Sequence, residues 1–203
     1  STLFPYTTLF RSGAPLVYTR QLLPMDAQGK LVGEGSDEKQ IDQVLANLET
    51  VLRASGSGLD KLVRVNIYAL SKPAVSLFRE KLAKRLGPDV RPAISAILTA
   101  FTQRKVLVAV DAVAASSEKG TAVALKRCDG VAGTKDCADA AVLPQGGVAY
   151  LSGQPEKGEL APATKTSLST LLDVLKQLKL APADVVQLKV FLTPAISADE
   201  ALA

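Results

Sequence analysis

An α+β fold, built as a two-layer unit with two helices on one face of a mixed sheet, is what three features of the sequence predict. The first is an amphipathic helix read from Asp37, in which Ile41, Val44, Leu45, Leu48, Val51 and Leu52 recur at helical spacing and form one apolar stripe. The second is a strand at residues 62–70, rich in β-branched and aromatic side chains such as Val63, Val65, Ile67 and Tyr68. The third is the return of both elements later in the chain. One constant shift lays Leu45 on Leu168, Leu48 on Leu171, Val51 on Val174, Leu52 on Leu175, Val65 on Leu188, Ile67 on Val190 and Tyr68 on Phe191. The unit is therefore expected in tandem, with Leu45 and Leu168 at equivalent buried positions.

Each element carries its own start and stop signals. Residues 16–23 read as a strand, followed by a turn at 26–29 and a short return strand at 30–32. Asp37 with Gln40 three residues on resembles a capping box, and Gly56 and Gly58 end the helix. Ser71 and Pro73 open a second helix with the stripe Val75, Phe78, Leu82 and Leu86, closed by Gly87 and Pro88. Strands at 93–100 and 106–115 come next, and the short span between them predicts an antiparallel hairpin. The order is β-β-α-β-α-β-β. A polar linker at 116–120, an entering strand at 121–127 and a polar loop at 128–139 lead to 140–143 and 147–151, where the pattern restarts.

A chain of 203 residues, 47% apolar and 22% charged, is that of a globular protein, long enough for two domains of about 100 residues each. The expected divisions are a leader at 1–13, a first domain at 14–116 and a second at 121–203. Residues 1–12, STLFPYTTLFRS, lack an initiator Met and clean periodicity and resemble translated adapter sequence, so the leader is expected to be artefactual or disordered and to make few contacts. At the other end, Ala203 comes just after the strand of the second copy, and the second helix and last two strands of the first copy have no counterpart there. The second copy is expected to be truncated at its C-terminus, with residues 194–203 poorly anchored.

Composition also removes chemistry. The chain has no histidine, which excludes His-based acid/base catalysis, Ser-His-Asp and Cys-His nucleophiles and every His-containing metal site. Its 24 basic and 20 acidic residues are interspersed, so nucleic acid is not an expected partner, and no apolar run reaches the ~20 residues of a membrane span. Cys128 and Cys137 lack the further ligands a zinc site needs. Two readings stay open for them: a disulfide closing a short loop, which would imply an oxidising compartment such as the periplasm, or two free thiols in the cytosol.

The runs VYTRQLLPMDAQGKLVGEG, QVLANLETVLRASGSGLDKLVRVNIYAL, RPAISAIL and VLVAVDAVA, with GGVAYLSGQ and SLSTLLDVLKQLKLAPADVVQLKVFLTP in the second copy, resemble the YjgF/Rid family. The signatures that carry the likeness are S-G-Q, N-L-x-x-V-L and P-A-R. The resemblance implies a chorismate-mutase-like unit, a homo-oligomer or pseudo-trimeric assembly with sites in the clefts between units, a small-molecule substrate or ligand, and chemistry that needs no metal or cofactor.

It also implies roles for particular residues. Active members grip a substrate carboxylate with the Arg of P-A-R, a task suited to a planar guanidinium. Here the motif reads Pro92, Ala93, Ile94, so that cation is lost. The family's acid falls on Asp111, one methylene shorter than the usual Glu, and the Ser of S-G-Q falls on Thr19, with Arg20 and Gln21 completing the motif, and on Ser152 before Gly153 in the second copy. Asp111 would interrupt the apolar row of Leu107, Ala109 and Val113. That row is either half-exposed near a sheet edge or buried at an interface, where Arg20, Arg91 or Arg104 would have to offset the cost of the charge. A hydroxyl at a strand end, as at Thr19 or Ser152, otherwise just satisfies a turn.

Two function classes result. One is a hydrolytic deaminase of reactive enamines and imines, turning a 2-aminoacrylate-like intermediate into a keto acid and ammonia, with the first copy degenerate. The other is a non-catalytic ligand-binding or scaffolding protein. A cleft lined by Ile94, Thr19 and Asp111 is expected to turn over weakly, and Ile94→Arg to restore some activity.

Overall fold

The computed structural model describes residues 7–133, 136–151 and 156–191. In chain order its elements are β1 (Thr7–Ser12), β2 (Leu16–Thr19), α1 (Asp37–Ala54), β3 (Leu62–Ala69), α2 (Lys72–Arg85), β4 (Ala93–Leu98), β5 (Val108–Ala115), β6 (Ala124–Lys126), β7 (Ala140–Leu143), β8 (Gly146–Leu151) and α3 (Leu160–Gln177). They divide into two units, Gly13–Gly146 and, separately, Ser1–Ser12 with Gly147–Ala203.

The Gly13–Gly146 unit has the expected α+β class. Its six-stranded sheet runs β4-β3-β5-β2-β7-β6, parallel between β3 and β4 and antiparallel at the other junctions. The stripe of α1 is fully buried, and with Phe78 and Leu82 of α2 it packs on Val17, Val65, Ile67, Val108 and Val110 from one face of the sheet. Burying each such side chain contributes about 1.5–3 kcal/mol.

The start of α1 differs from the expected capping box. Ser36 is the cap, its hydroxyl accepting from Lys39 N at 3.3 Å. Gln40 is instead buried, donating to Lys105 O at 2.8 Å and accepting from Leu107 N at 2.8 Å. The helix stops as expected at Gly56, whose φ of 65° an L side chain rarely adopts, with Gly56 N donating to Arg53 O and Ser57 N to Leu52 O.

Strands β4 and β5 do not form the expected hairpin, because β3 lies between them. The chain leaves β3 through α2 and returns parallel to it as β4, a crossover that a helix can span. The segment that Gln40 holds then carries the chain past β3 to β5 on its other side. The expected return strand at 30–32 is reduced to a bridge between Met25 and Leu31.

Strands β6 and β7, which the sequence assigns to the head of the second copy, belong to this sheet. β5 takes one edge of β2 and β7 takes the other, which brings Ala140 and Val142 into the core. This unit therefore extends beyond residue 116.

In the other unit, β1 pairs with β8 as a two-stranded sheet, so residues 7–12 are a paired strand where a leader with few contacts was expected. Helix α3 falls where the repeat predicts it, and Val174 and Leu175 are buried as Val51 and Leu52 are, but the rest of the burial does not match. Leu168 is 42% exposed against 0% for Leu45, and Leu188, Val190 and Phe191 are exposed in residues 185–191, which form no strand. An apolar row needs a central strand to pair with, and among the described residues this unit's sheet consists of β1 and β8 alone. The expected second copy of the fold is thus not formed by the described residues. Residues 192–203 lie outside them.

Candidate functional site

The sheet face turned away from α1 and α2 holds a polar network that begins at Asp111. Strand alternation sends Val110 and Ala112 of β5 to the helices and Asp111 to the opposite face. In the register of β3 and β5, Asp111 lies opposite Asn66. Asn66 Nδ2 donates to Asp111 Oδ1 at 2.7 Å and Tyr68 Oη donates to Asp111 Oδ2 at 2.7 Å, so each carboxylate oxygen is oriented by a different donor. Asp111 is 3% exposed. The half-exposed edge position considered from the sequence is excluded, and the buried charge is held by strong, charge-assisted bonds.

The network opens to solvent through Arg64. Arg64 lies opposite Val113, on the Asp111 face, and a bulge between Leu62 and Arg64 leaves Val63 without a partner on β5. Arg64 Nε donates to Asn66 Oδ1 at 3.2 Å, and Arg64 Nη2 to Ser95 Oγ at 3.5 Å on β4. Arg64 is exposed and Ser95 half-buried, whereas Asn66, Tyr68 and Asp111 are buried. Burial raises the Tyr68 pKa well above the usual phenol range; its hydrogen bond to Asp111 and that residue's charge add to this, and Arg64 opposes it. Tyr68 therefore remains a donor to Asp111 at neutral pH.

The other residues that the sequence singles out lie elsewhere. Thr19 sits opposite Ala140, on the helix-covered face, and its hydroxyl accepts from Ala112 N at 3.0 Å, a structural bond. Ile94 pairs with Val65 and packs against the core on that same face. A cleft lined by Ile94, Thr19 and Asp111 is not formed, because the sheet itself separates Asp111 from the other two. An arginine at position 94 would start from the core side.

Arg20 is engaged in another way. Its Nε donates to Asp139 Oδ1 at 2.8 Å, Nη1 to Gln21 O at 3.0 Å and Nη2 to Ala132 O. Asp139, 2% exposed, also accepts from Cys128 N at 2.9 Å, so the pair ties down the loop between β6 and β7. A cavity of about 50 Å³ beside it, lined by Arg20, Leu22, Met25, Asn47 and Val131, is too small for a substrate. Arg91 bonds to Val90 O on the surface, and the cation linked to Asp111 through Asn66 is Arg64, which the sequence did not single out.

Cys128 and Cys137 are both free, the first buried and the second exposed. Burial raises the Cys128 pKa and the Asp139 charge adds to the rise. Ser152 and Gly153 lie outside the described residues. Among the described residues no group of His, Cys, Asp and Glu could hold a metal, and no helix is long and apolar enough to cross a membrane.

Sequence reasoning missed Arg64, Asn66, Tyr68 and Ser95. The alternation of Arg64, Asn66 and Tyr68 with Val65 and Ile67 was the available signal, a polar row on a strand whose other face is apolar.

Set beside known proteins, residues 2–116 match a family model described as Endoribonuclease L-PSP. Protein HMF1 of Saccharomyces cerevisiae is 32% identical over 103 residues, which cover 51% of this chain and 78% of that protein. RutC family protein PH0854 of Pyrococcus horikoshii is 26% identical over 110 residues, 54% of this chain and 86% of that protein. The crystal structure of yeast Mmf1 aligns with a TM-score of 0.47 at 25% identity, over 55% of this chain and 87% of that one.

Proposed function

Because this chain belongs to the YjgF/Rid family, also described as Endoribonuclease L-PSP, we propose that its Gly13–Gly146 unit hydrolyses small enamines and imines that bear a carboxylate. The reaction is addition of water to a 2-iminopropanoate-like carbon. The C–O bond forms, the C–N bond breaks, and a keto acid and ammonia leave with all atoms accounted for. No metal or cofactor enters the scheme. Asp111 is the residue assigned to orient the attacking water.

The observation that carries this reading is the fixed carboxylate of Asp111, held at 2.7 Å by both Asn66 and Tyr68 before any substrate arrives. Pre-orientation of this kind lowers the reorganisation needed at the transition state. Ribonuclease chemistry, which the family's description names, has no support in a chain with no histidine.

A second reading is favoured by one specific observation. Asp111 is 3% exposed and already engaged by Asn66 and Tyr68, and a buried acid suits a protein that binds a ligand at Arg64 and Ser95 without turning it over.

The test is release of pyruvate from enzymatically generated 2-aminoacrylate, monitored with lactate dehydrogenase. Release faster than spontaneous hydrolysis and lost in Asp111→Asn supports the deaminase. A rate equal to the spontaneous one in the unaltered chain would turn the assignment to binding alone.

A further inference from the structure

We infer that Arg64 is the carboxylate-binding residue of this site, replacing from β3 the cation that position 94 on β4 does not supply, and that the ligand is a small monoanionic carboxylate seated over Ser95 and Asn66. The inference rests on the reading of the Asp111 face as the functional site, and adds to it where the anionic end of the ligand goes.

Three observations carry it. Strand alternation sets Arg64 on the Asp111 face beside Asn66 and Tyr68, and the bulge at Leu62–Arg64 ends that polar row by returning Leu62 to the core. The guanidinium is bonded to Asn66, which is itself bonded to Asp111, so cation and acid are linked through one bridging amide. Arg64 is exposed and Ser95 half-buried while Asn66, Tyr68 and Asp111 are buried, so Arg64 is the part of the network that a ligand in water reaches first.

The chemistry fits the class. A planar guanidinium offers parallel donors to a carboxylate, and Ser95 Oγ, at 3.5 Å from Nη2, is placed to add a further donor. Since Asp111 repels an anion, the ligand's carboxylate is held at the Arg64 end and its neutral or cationic end faces Asp111. Among the described residues the network offers Arg64 as its cation, so the second charge of a dianion gains little.

The test is a titration of the full chain with pyruvate and, separately, with pyruvamide, its neutral amide, monitored by backbone amide shifts. The unaltered chain should bind pyruvate at least tenfold more tightly than pyruvamide. Arg64→Gln should weaken pyruvate binding about ten- to hundredfold and leave pyruvamide unchanged, and Arg64→Lys should recover part of the loss. A purely structural role for Arg64 would move both probes together. Pyruvate affinity unaltered in Arg64→Gln, or equal affinity for the two probes in the unaltered chain, would overturn the inference. The turnover assay separates this from the deaminase reading. Arg64-dependent binding without turnover leaves the inference standing and removes the enzyme, whereas turnover with an unchanged KM in Arg64→Gln does the reverse.

Discussion

Tyr68 Oη donates to Asp111 Oδ2 at 2.7 Å, joining a buried phenol on β3 to a buried carboxylate on β5. Burial first, and then this bond and the Asp111 charge, raise the Tyr68 pKa, which links stability to pH. In the unfolded chain the phenol titrates near 10.0, whereas in the folded chain it stays protonated above that. The unfolded state then binds fewer protons, so the contribution is fully present below pH 10 and is lost as pH rises beyond it. Urea midpoints measured from about pH 9 to about pH 11 should fall steeply for the unaltered chain and less steeply for Tyr68→Phe. Identical slopes in the two proteins would show that Tyr68 carries no such linkage.

A second prediction concerns Gln40, whose amide accepts from Leu107 N and donates to Lys105 O at the turn into β5. Gln40→Ala removes both bonds and leaves the backbone groups of Lys105 and Leu107 unsatisfied in a partly buried setting, at a cost of about 1–3 kcal/mol. Gln40→Glu keeps the acceptor for Leu107 N but loses the donor to Lys105 O and adds a buried charge. Equilibrium unfolding should therefore rank both variants below the unaltered chain. A change under about 0.5 kcal/mol in Gln40→Ala would mean that water replaces the amide there.

The two cysteines give a third expectation. Cys137 is exposed and Cys128 is buried with a raised pKa, next to the negative charge of Asp139. The thiolate is the reacting form, so iodoacetamide at mildly alkaline pH should label Cys137 rapidly and Cys128 only on unfolding. Peptide mapping after timed alkylation reads this directly, and equal labelling of both in the native protein contradicts it. Asp139→Asn removes a repulsive charge from the thiol and, with it, the partner of Arg20, so Cys128 should label faster in that variant.

The range of each interaction decided how much of the structure was legible in the sequence. The stripe of α1, the Ser71 start of α2 and the strand that carries Asp111 were legible because periodicity and caps are local. The placement of β3 between β4 and β5 was not, since the short span between them suits a hairpin equally well and what separates the two is pairing of each with an edge of the distant β3. In the site, Asp111 was found and its partners were not. The alternation within β3 groups Arg64 with Asn66 and Tyr68, but that this row meets Asp111 is set by pairing with β5, a contact between residues far apart in the chain. The match of α3 to α1 was visible in the leucines, yet burial depends on a sheet that the second half does not build from its described residues.

The last prediction uses that difference between the helices. Leu45 is fully buried and Leu168 is 42% exposed, although the two occupy matching positions in the repeat. Leu45→Ala should cost about 2–5 kcal/mol, as deletions in a packed core do, while Leu168→Ala should stay within about 0.5 kcal/mol of the unaltered chain. Val142 supplies the control on domain boundaries. It is 4% exposed and packs in the same core as Leu45, from a strand that the sequence assigns to the second copy. Val142→Ala should therefore cost about 2 kcal/mol and lower the same unfolding transition that Leu45→Ala lowers. Two transitions, with Val142 and Leu168 reporting on one and Leu45 on the other, would restore the division at residue 116 and refute the six-stranded sheet.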